Sequence, residues 1–140
     1  GSIAPIAPVA SVDGSHAHAE AGDDAAAAPA FVMPSKELLK AVLLDLSKPI
    51  AQRMRSIFYL RSAGGDDAVE TLCAALANKA GTTLFRHEIA YVLGQMQAKA
   101  ALPVLMAVLA DDGDDIVVRH EVSARSATMR QPPRWPGARR

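Results

Sequence analysis

The chain has 140 residues, with 15 basic and 15 acidic side chains and a formal net charge of zero. One domain is the expectation at this length, and the balanced charge gives no electrostatic basis for a nucleic-acid or membrane-surface partner. Cys73 is the lone cysteine, which excludes an intrachain disulfide and a cysteine-based zinc site and suits a reducing cytosol; no apolar run reaches the ~18 residues that span a bilayer.

The chain opens on Gly1-Ser2 rather than Met, as a fragment, a processed product or a tagged protein does. Residues 1–33 are rich in Ala, Pro and small polar residues without a sustained apolar period, which predicts a disordered tail. His16 and His18 lie there. A His-Ala-His pair holds a metal only weakly, and this context reads as solvated tail.

From Pro34 the pattern changes. Leu38, Leu39, Val42, Leu43 and Leu46 recur at helical spacing behind Ser35, a helix-capping residue type, and Lys48-Pro49 breaks the run. Ile50, Met54, Ile57 and Phe58 mark a second helix, and Ala68, Val69, Leu72 and Leu76 a third, around the turn Gly64-Gly65-Asp66. Ile89, Val92, Leu93 and Met96 mark a fourth. Leu102, Leu105, Met106 and Leu109 mark a fifth, with Pro103 in its first turn, where a missing N–H costs nothing. The acidic loop Asp111–Asp115 precedes a sixth, starting near Ile116. Strand alternation is absent, so the predicted class is all-α.

Sliding the chain by 33 positions lays Phe58 on Tyr91, Leu60 on Leu93, Leu72 on Leu105 and Leu76 on Leu109. A period in the thirties that holds two helices predicts an α-solenoid of stacked hairpins. HEAT, tetratricopeptide and ankyrin units overlap in length. The ankyrin and tetratricopeptide consensus turns are missing, and a short HEAT-like unit fits best. The repeat domain is placed at 34–124, with a divergent Pro/Arg-rich tail at 125–140.

The same shift lays His87 on His120 and Glu88 on Glu121, within two copies of Arg-His-Glu. Equivalent residues of stacked repeats sit on neighbouring helices with axes ~8–10 Å apart, so the two imidazoles, His87 and His120, leaning into the groove between them can reach one ion. Imidazole and carboxylate suit iron, zinc and other first-row metals, and two histidines with one carboxylate form the facial set of non-haem iron. Adjacent His-Glu is not the HExxH pattern of zinc proteases, whose two histidines share one helix. The first repeat has Met54-Arg55 at the equivalent positions. The plainer reading is that repeats copy surface pairs as readily as ligands. Two copies in register shift the balance toward a site. Arg86 and Arg119 read as surface or helix-start charges, Tyr91 and Met96 as core, Cys73 as an inert buried thiol, and Gly94 as a close-packing position between helices.

At these residues the chain resembles deoxyhypusine hydroxylase, a HEAT-repeat di-iron monooxygenase. RHEIAYVLGQMQ resembles that family's first His-Glu segment, VVRHE its second, and PIAQRMRSIFYLRSAGGDDAVETL its opening repeat, which has no such pair. The resemblance implies an all-α HEAT fold, two irons between facing halves, and hydroxylation of deoxyhypusine on a translation initiation factor in the cytoplasm. It makes His87, His120 and Glu121 ligands of one iron. Glu88 is assigned to the metal set or to catalysis, as a carboxylate that holds the cationic substrate.

The resemblance stops near Glu121. An Ala-rich helix is expected next, but the chain reads VSARSATMRQPPRWPGARR. Arg125 and Arg130 interrupt the apolar face, Pro132-Pro133 forbid further helix, and Trp135 has no apolar neighbours in sequence. A reading-frame shift or a retained intron in a GC-rich gene gives such a composition. On this reading one half of the site is present, His120 and Glu121 lie on an exposed fraying turn, metal binding is weak or single, and the monomer does not hydroxylate. Two facing copies, a homodimer, would rebuild the site. The competing function is a non-catalytic HEAT-repeat scaffold for a protein partner, similar to the phycobilin-lyase repeat group.

Overall fold

The computed structural model describes residues 27–131. The expectations for residues 1–26, including His16 and His18, and for Pro132-Pro133 and Trp135 lie outside the described residues.

The described residues form six α-helices and no strand: α1 (Lys36–Leu44), α2 (Ile50–Ala63), α3 (Asp66–Ala77), α4 (Thr83–Gln95), α5 (Leu102–Ala110) and α6 (Ile116–Arg130). A 3-10 turn at Lys99–Ala101 leads into α5, and the compact repeat unit begins at Val32. Side-chain caps start three helices. Ser35 Oγ accepts from Leu38 N, Thr82 Oγ1 from Phe85 N, and Asp115 Oδ1 from Val117 N and Val118 N. Each such cap contributes about 1 kcal/mol by satisfying an orphan donor of the first turn. Between α2 and α3, Gly64 and Gly65 have φ of 65° and 89°, a left-handed path that side chains resist.

Three hairpins, α1–α2, α3–α4 and α5–α6, repeat the 33-residue period expected from the sequence. Each buries an apolar stripe against its neighbour, since a single hairpin cannot cover its own. Leu43, Ile57, Leu60, Leu72, Leu76, Phe85, Ile89, Leu93, Leu105 and Val118 are among the fully buried side chains of one continuous core. Of the first helix, Leu39 and Leu43 are buried and Leu38 is exposed, while Leu46, expected in that helix, lies exposed in the turn after it.

A second repeated device sets the hairpin geometry. Arg53 Nε donates to Leu43 O, Arg86 Nε to Leu76 O, and Arg119 Nη2 to Leu109 O, each across ten residues. Every one of these carbonyls ends the first helix of its hairpin, where no intrahelical donor remains. The guanidinium also suits the negative end of the helix dipole. The turn between the helices repeats as well. Asp45, Asn78 and Asp111 each accept, through Oδ1, the backbone N–H two residues on.

This corrects the reading of Arg86 and Arg119 as surface charges. Arg86 is 2% exposed, and its other nitrogens form a bidentate pair with Asp114, Nη2 to Oδ2 at 2.7 Å. That hydrogen bond pulls the Asp114 carboxyl down to about 2. Arg119 is half-buried, and its acid, Asp112, is 95% exposed. Arg53 makes the same backbone bond in the repeat that carries Met54-Arg55, so the arginine is scaffold independently of any His-Glu pair.

The last helix extends beyond residue 124, the expected end of the repeat domain. α6 runs on to Arg130, with Ser126 at 0% and Met129 at 2% exposure. Val118, Val122, Ser126 and Met129 continue one buried stripe. The buried Ser126 hydroxyl is satisfied within its own helix, donating to Ser123 O. Arg125 lies beside this stripe rather than across it. The helix ends at Gln131, whose extended backbone is the conformation a residue before proline prefers.

Candidate functional site

α4 and α6 are the equivalent second helices of adjacent hairpins, and they pack on each other, with Ile89 and Leu93 of α4 and Val118 and Val122 of α6 buried. Because Arg86 is turned inward by its bonds to Leu76 and Asp114, His87 and Glu88 follow it around α4 at ~100° per residue. That rotation carries His87 toward α6. His87 Nε2 stands 3.2 Å from Glu121 Oε2, linking the two Arg-His-Glu copies. His87 is about one-third exposed, and the Glu121 side chain only 12%.

A polar strip extends from this pair. Arg125 Nε lies 2.8 Å from Glu121 Oε1, one helical turn on. Its N–H is not aligned on the oxygen, so both atoms are buried without a hydrogen bond. The Arg125 guanidinium sits 5.3 Å from the Tyr91 ring centroid. Tyr91 Oη accepts from Gln95 Nε2, and Gln95 Oε1 accepts from Arg61 Nη1. Tyr91 is thus a surface member of this strip, 36% exposed, and not core as expected. Met96 is partly buried against the core, as expected.

The two remaining candidates are placed differently. His120 is exposed on α6, and Glu88 is half-buried on α4. Neither makes a hydrogen bond or ion pair among the described residues. Glu121 is buried rather than on a fraying turn, because α6 continues past it and Arg125 folds over it.

The fit of a metal to these residues rests on the donor spacing. Two donors ~2.1 Å from one ion and at right angles to each other lie ~3 Å apart. The His87–Glu121 separation matches that, and Glu121 Oε1 is a buried acceptor with no hydrogen bond. One imidazole and one carboxylate are therefore at a compatible spacing, which is equally that of an ordinary ion pair. A third donor is not brought in: among the described residues, no group of three His, Cys, Asp or Glu side chains is arranged to hold an ion. Cys73 is buried on α3, and desolvation pushes its thiol up to about 11, which makes it a poor nucleophile and a poor ligand.

Sequence reasoning missed Arg125, Gln95, Arg61 and Asp114 as members of these networks. Two had a legible signal. Arg125 follows Glu121 by four residues, the spacing at which Glu and Arg pair on a helix. Asp114 sits in the loop that Arg86 faces, and four aspartates in five residues concealed which of them is the partner.

No helix among the described residues is long and apolar enough to cross a membrane. A family model described as HEAT repeats matches residues 36–124. The deoxyhypusine hydroxylase of Bos taurus is 45% identical over 94 residues, covering 67% of this chain and 30% of its own length. That of Gallus gallus is 51% identical over 80 residues, covering 57% of this chain and 26% of its own length. The solved structure of human deoxyhypusine hydroxylase in complex with glycerol is similar with a TM-score of 0.65 and 42% identity, over 70% of this chain and 33% of that one. The chain therefore spans less than a third of the length of these curated relatives. It belongs to the HEAT-repeat family, and its homologues there are deoxyhypusine hydroxylases.

Proposed function

We infer that the α4–α6 face is one half of an iron-dependent deoxyhypusine monooxygenase site. The observation that carries this reading is the His87–Glu121 pair, two donors at metal-ligand spacing contributed by successive copies of one motif. His87, His120 and Glu121 would hold the metal, with Glu88 beside them. Iron bound there supplies the activation of dioxygen for hydroxylating a carbon of the substrate side chain.

The chain's own residues do the rest. Arg86 fixes the register of α4, so that His87 faces α6. The buried flank of Glu121 keeps water from the carboxylate. Glu88, half-buried and without a partner among the described residues, offers negative charge to a cationic side chain such as deoxyhypusine on a translation initiation factor. The cytoplasm, where such a factor is modified, is the compartment this reading implies. A two-iron centre takes a facing set of donors besides these four, and a second copy of the chain is one source of it.

Iron counting on anaerobically loaded protein, with His87→Ala and Glu121→Gln beside it, tests the site. Retention that both substitutions abolish is the expected result. Retention that survives both places the metal elsewhere and overturns the reading.

A second reading has its own observation. Donors fit for one metal bond number two rather than three, which favours a scaffold that binds a protein through this face without metal. Absence of bound iron, with unchanged folding of both variants, would support that alternative.

A further inference from the structure

We propose that the segment 132–140 folds back over α5 and seats Trp135 in the apolar groove between α5 and α3. The inference is independent of the α4–α6 face, because this groove runs between the first helices of their hairpins.

The groove has the size and lining for one such side chain. Ala77, Pro103, Val104, Ala107 and Val108 line a hollow of about 360 Å3, large enough to hold a compact apolar group. Pro103 and Ala107 are exposed along it. Lys79 and Asp111 stand at its far end.

The way the chain leaves α6 points to the occupant. A short connection makes α6 antiparallel to α5, so α6 ends beside the start of α5, and Arg130 Nη1 lies 3.9 Å from Met106 Sδ. Gln131 has φ −74° and ψ 135°, the polyproline-II conformation, and Pro132, Pro133 and Pro136 follow. Such a path advances ~3.1 Å per residue, so crossing a helix ~10–12 Å wide takes about four residues. Counted from Gln131, the residue that arrives at the groove is Trp135, whose indole offers a large apolar face. Prolines have little backbone freedom to lose, which lowers the entropy cost of ordering the segment.

Charge agrees with this direction. The loop at the groove's far end carries four aspartates. Lys79, Arg119 and Arg86 pair with Asp111, Asp112 and Asp114. Asp115 has no cation paired with it among the described residues, so that end keeps negative charge. Segment 132–140 carries three arginines and no acid, with Arg139 and Arg140 beyond Trp135.

Trp135 is the single tryptophan of the chain, so intrinsic fluorescence of the full chain reports its surroundings directly. The expected result is emission at shorter wavelength, and weaker quenching by acrylamide, than for a synthetic peptide of residues 131–140. Ala107→Arg and Pro103→Arg each put bulk and positive charge at an exposed lining position. Both should return the emission and the quenching to those of the peptide, with circular dichroism showing that the helices are kept. Ser62→Arg, exposed on α2, should leave both readings as in the native chain. Peptide-like emission from the native chain overturns the inference. So does a blue shift that survives both groove substitutions, which seats Trp135 elsewhere, and one that fades on dilution, which gives the groove to the segment of a second copy.

Discussion

The two Arg-His-Glu motifs share their letters and differ in almost everything that physics adds to them. In the second hairpin, Arg86 is buried and clasped by Asp114, a residue of the following hairpin. In the third, Arg119 keeps the bond to the helix end but pairs with an exposed neighbour, Asp112, and its Nε is left without a partner. His87 is turned against α6, while His120 is exposed. Glu121 is buried and Glu88 half-buried. An identical tripeptide therefore acquires its role from the hairpin stacked on it, and the motif alone does not say which of its three residues is engaged.

The largest break in this comparison should come from the acids. Asp114→Ala leaves Arg86 charged and buried, and is expected to cost about 3 kcal/mol or more in denaturant unfolding. Asp112→Ala removes the exposed counterpart and should stay within ~0.5 kcal/mol. Equal effects would mean that the two arginines are equivalent after all.

Acid sharpens the same contrast. The Asp114 carboxyl is held near 2 in the folded chain, below its ordinary value of 3.8, so folding favours its ionised form. Its contribution is complete above about pH 4 and is lost as pH falls through about 2, amounting to about 2 kcal/mol. Asp114→Asn cannot titrate, so the stability gap between it and the native chain should narrow over that range. A constant gap would show that Asp114 does not carry the acid sensitivity.

Gly94 tests how tightly the second and third hairpins are joined. Alanine there meets Arg125 along its stem, with Cβ, Cγ and Cδ all at 3.0 Å or less, and should destabilise by ~1–2 kcal/mol through overpacking. In an Arg125→Ala background the Cγ and Cδ contacts are gone and only the Cβ contact at 3.0 Å remains. The same glycine replacement should then cost clearly less, offset by a helix-propensity gain of up to ~1 kcal/mol. A cycle in which the two costs are equal removes Arg125 from its place against Gly94.

The smallest effect belongs to His120→Ala. At an exposed position its stability change should lie within ~0.5 kcal/mol. A larger loss would reveal contacts that make His120 structural.

Much of this architecture was legible in the sequence. Apolar spacing and the 33-residue shift placed six helices and three hairpins, and Ser35, Pro49, Gly64 and Pro103 marked ends that the structure uses. The stacking of equivalent helices was legible as well, but that His87 meets Glu121, where the two imidazoles were expected to meet, was not. Other features were hidden because they depend on direction rather than period. Arg86 looked like a helix-start charge, since the carbonyl it reaches is ten residues back and across a turn. Arg125 looked like an interruption of the apolar face, although Val122, Ser126 and Met129 continue a buried stripe beside it. Tyr91 looked like core because it aligns with Phe58, whereas its hydroxyl reaches the polar strip.

The ten-residue clasp between each arginine and the end of the preceding helix also works as a gauge of loop length. Inserting one residue between Asn78 and Thr82 would force a choice: keep the clasp by deforming the turn, or lose it and let α4 rotate by ~100°, swinging His87 off its partner. Tolerance to insertion in that linker therefore reports whether chemistry or mere folding constrains the hairpin.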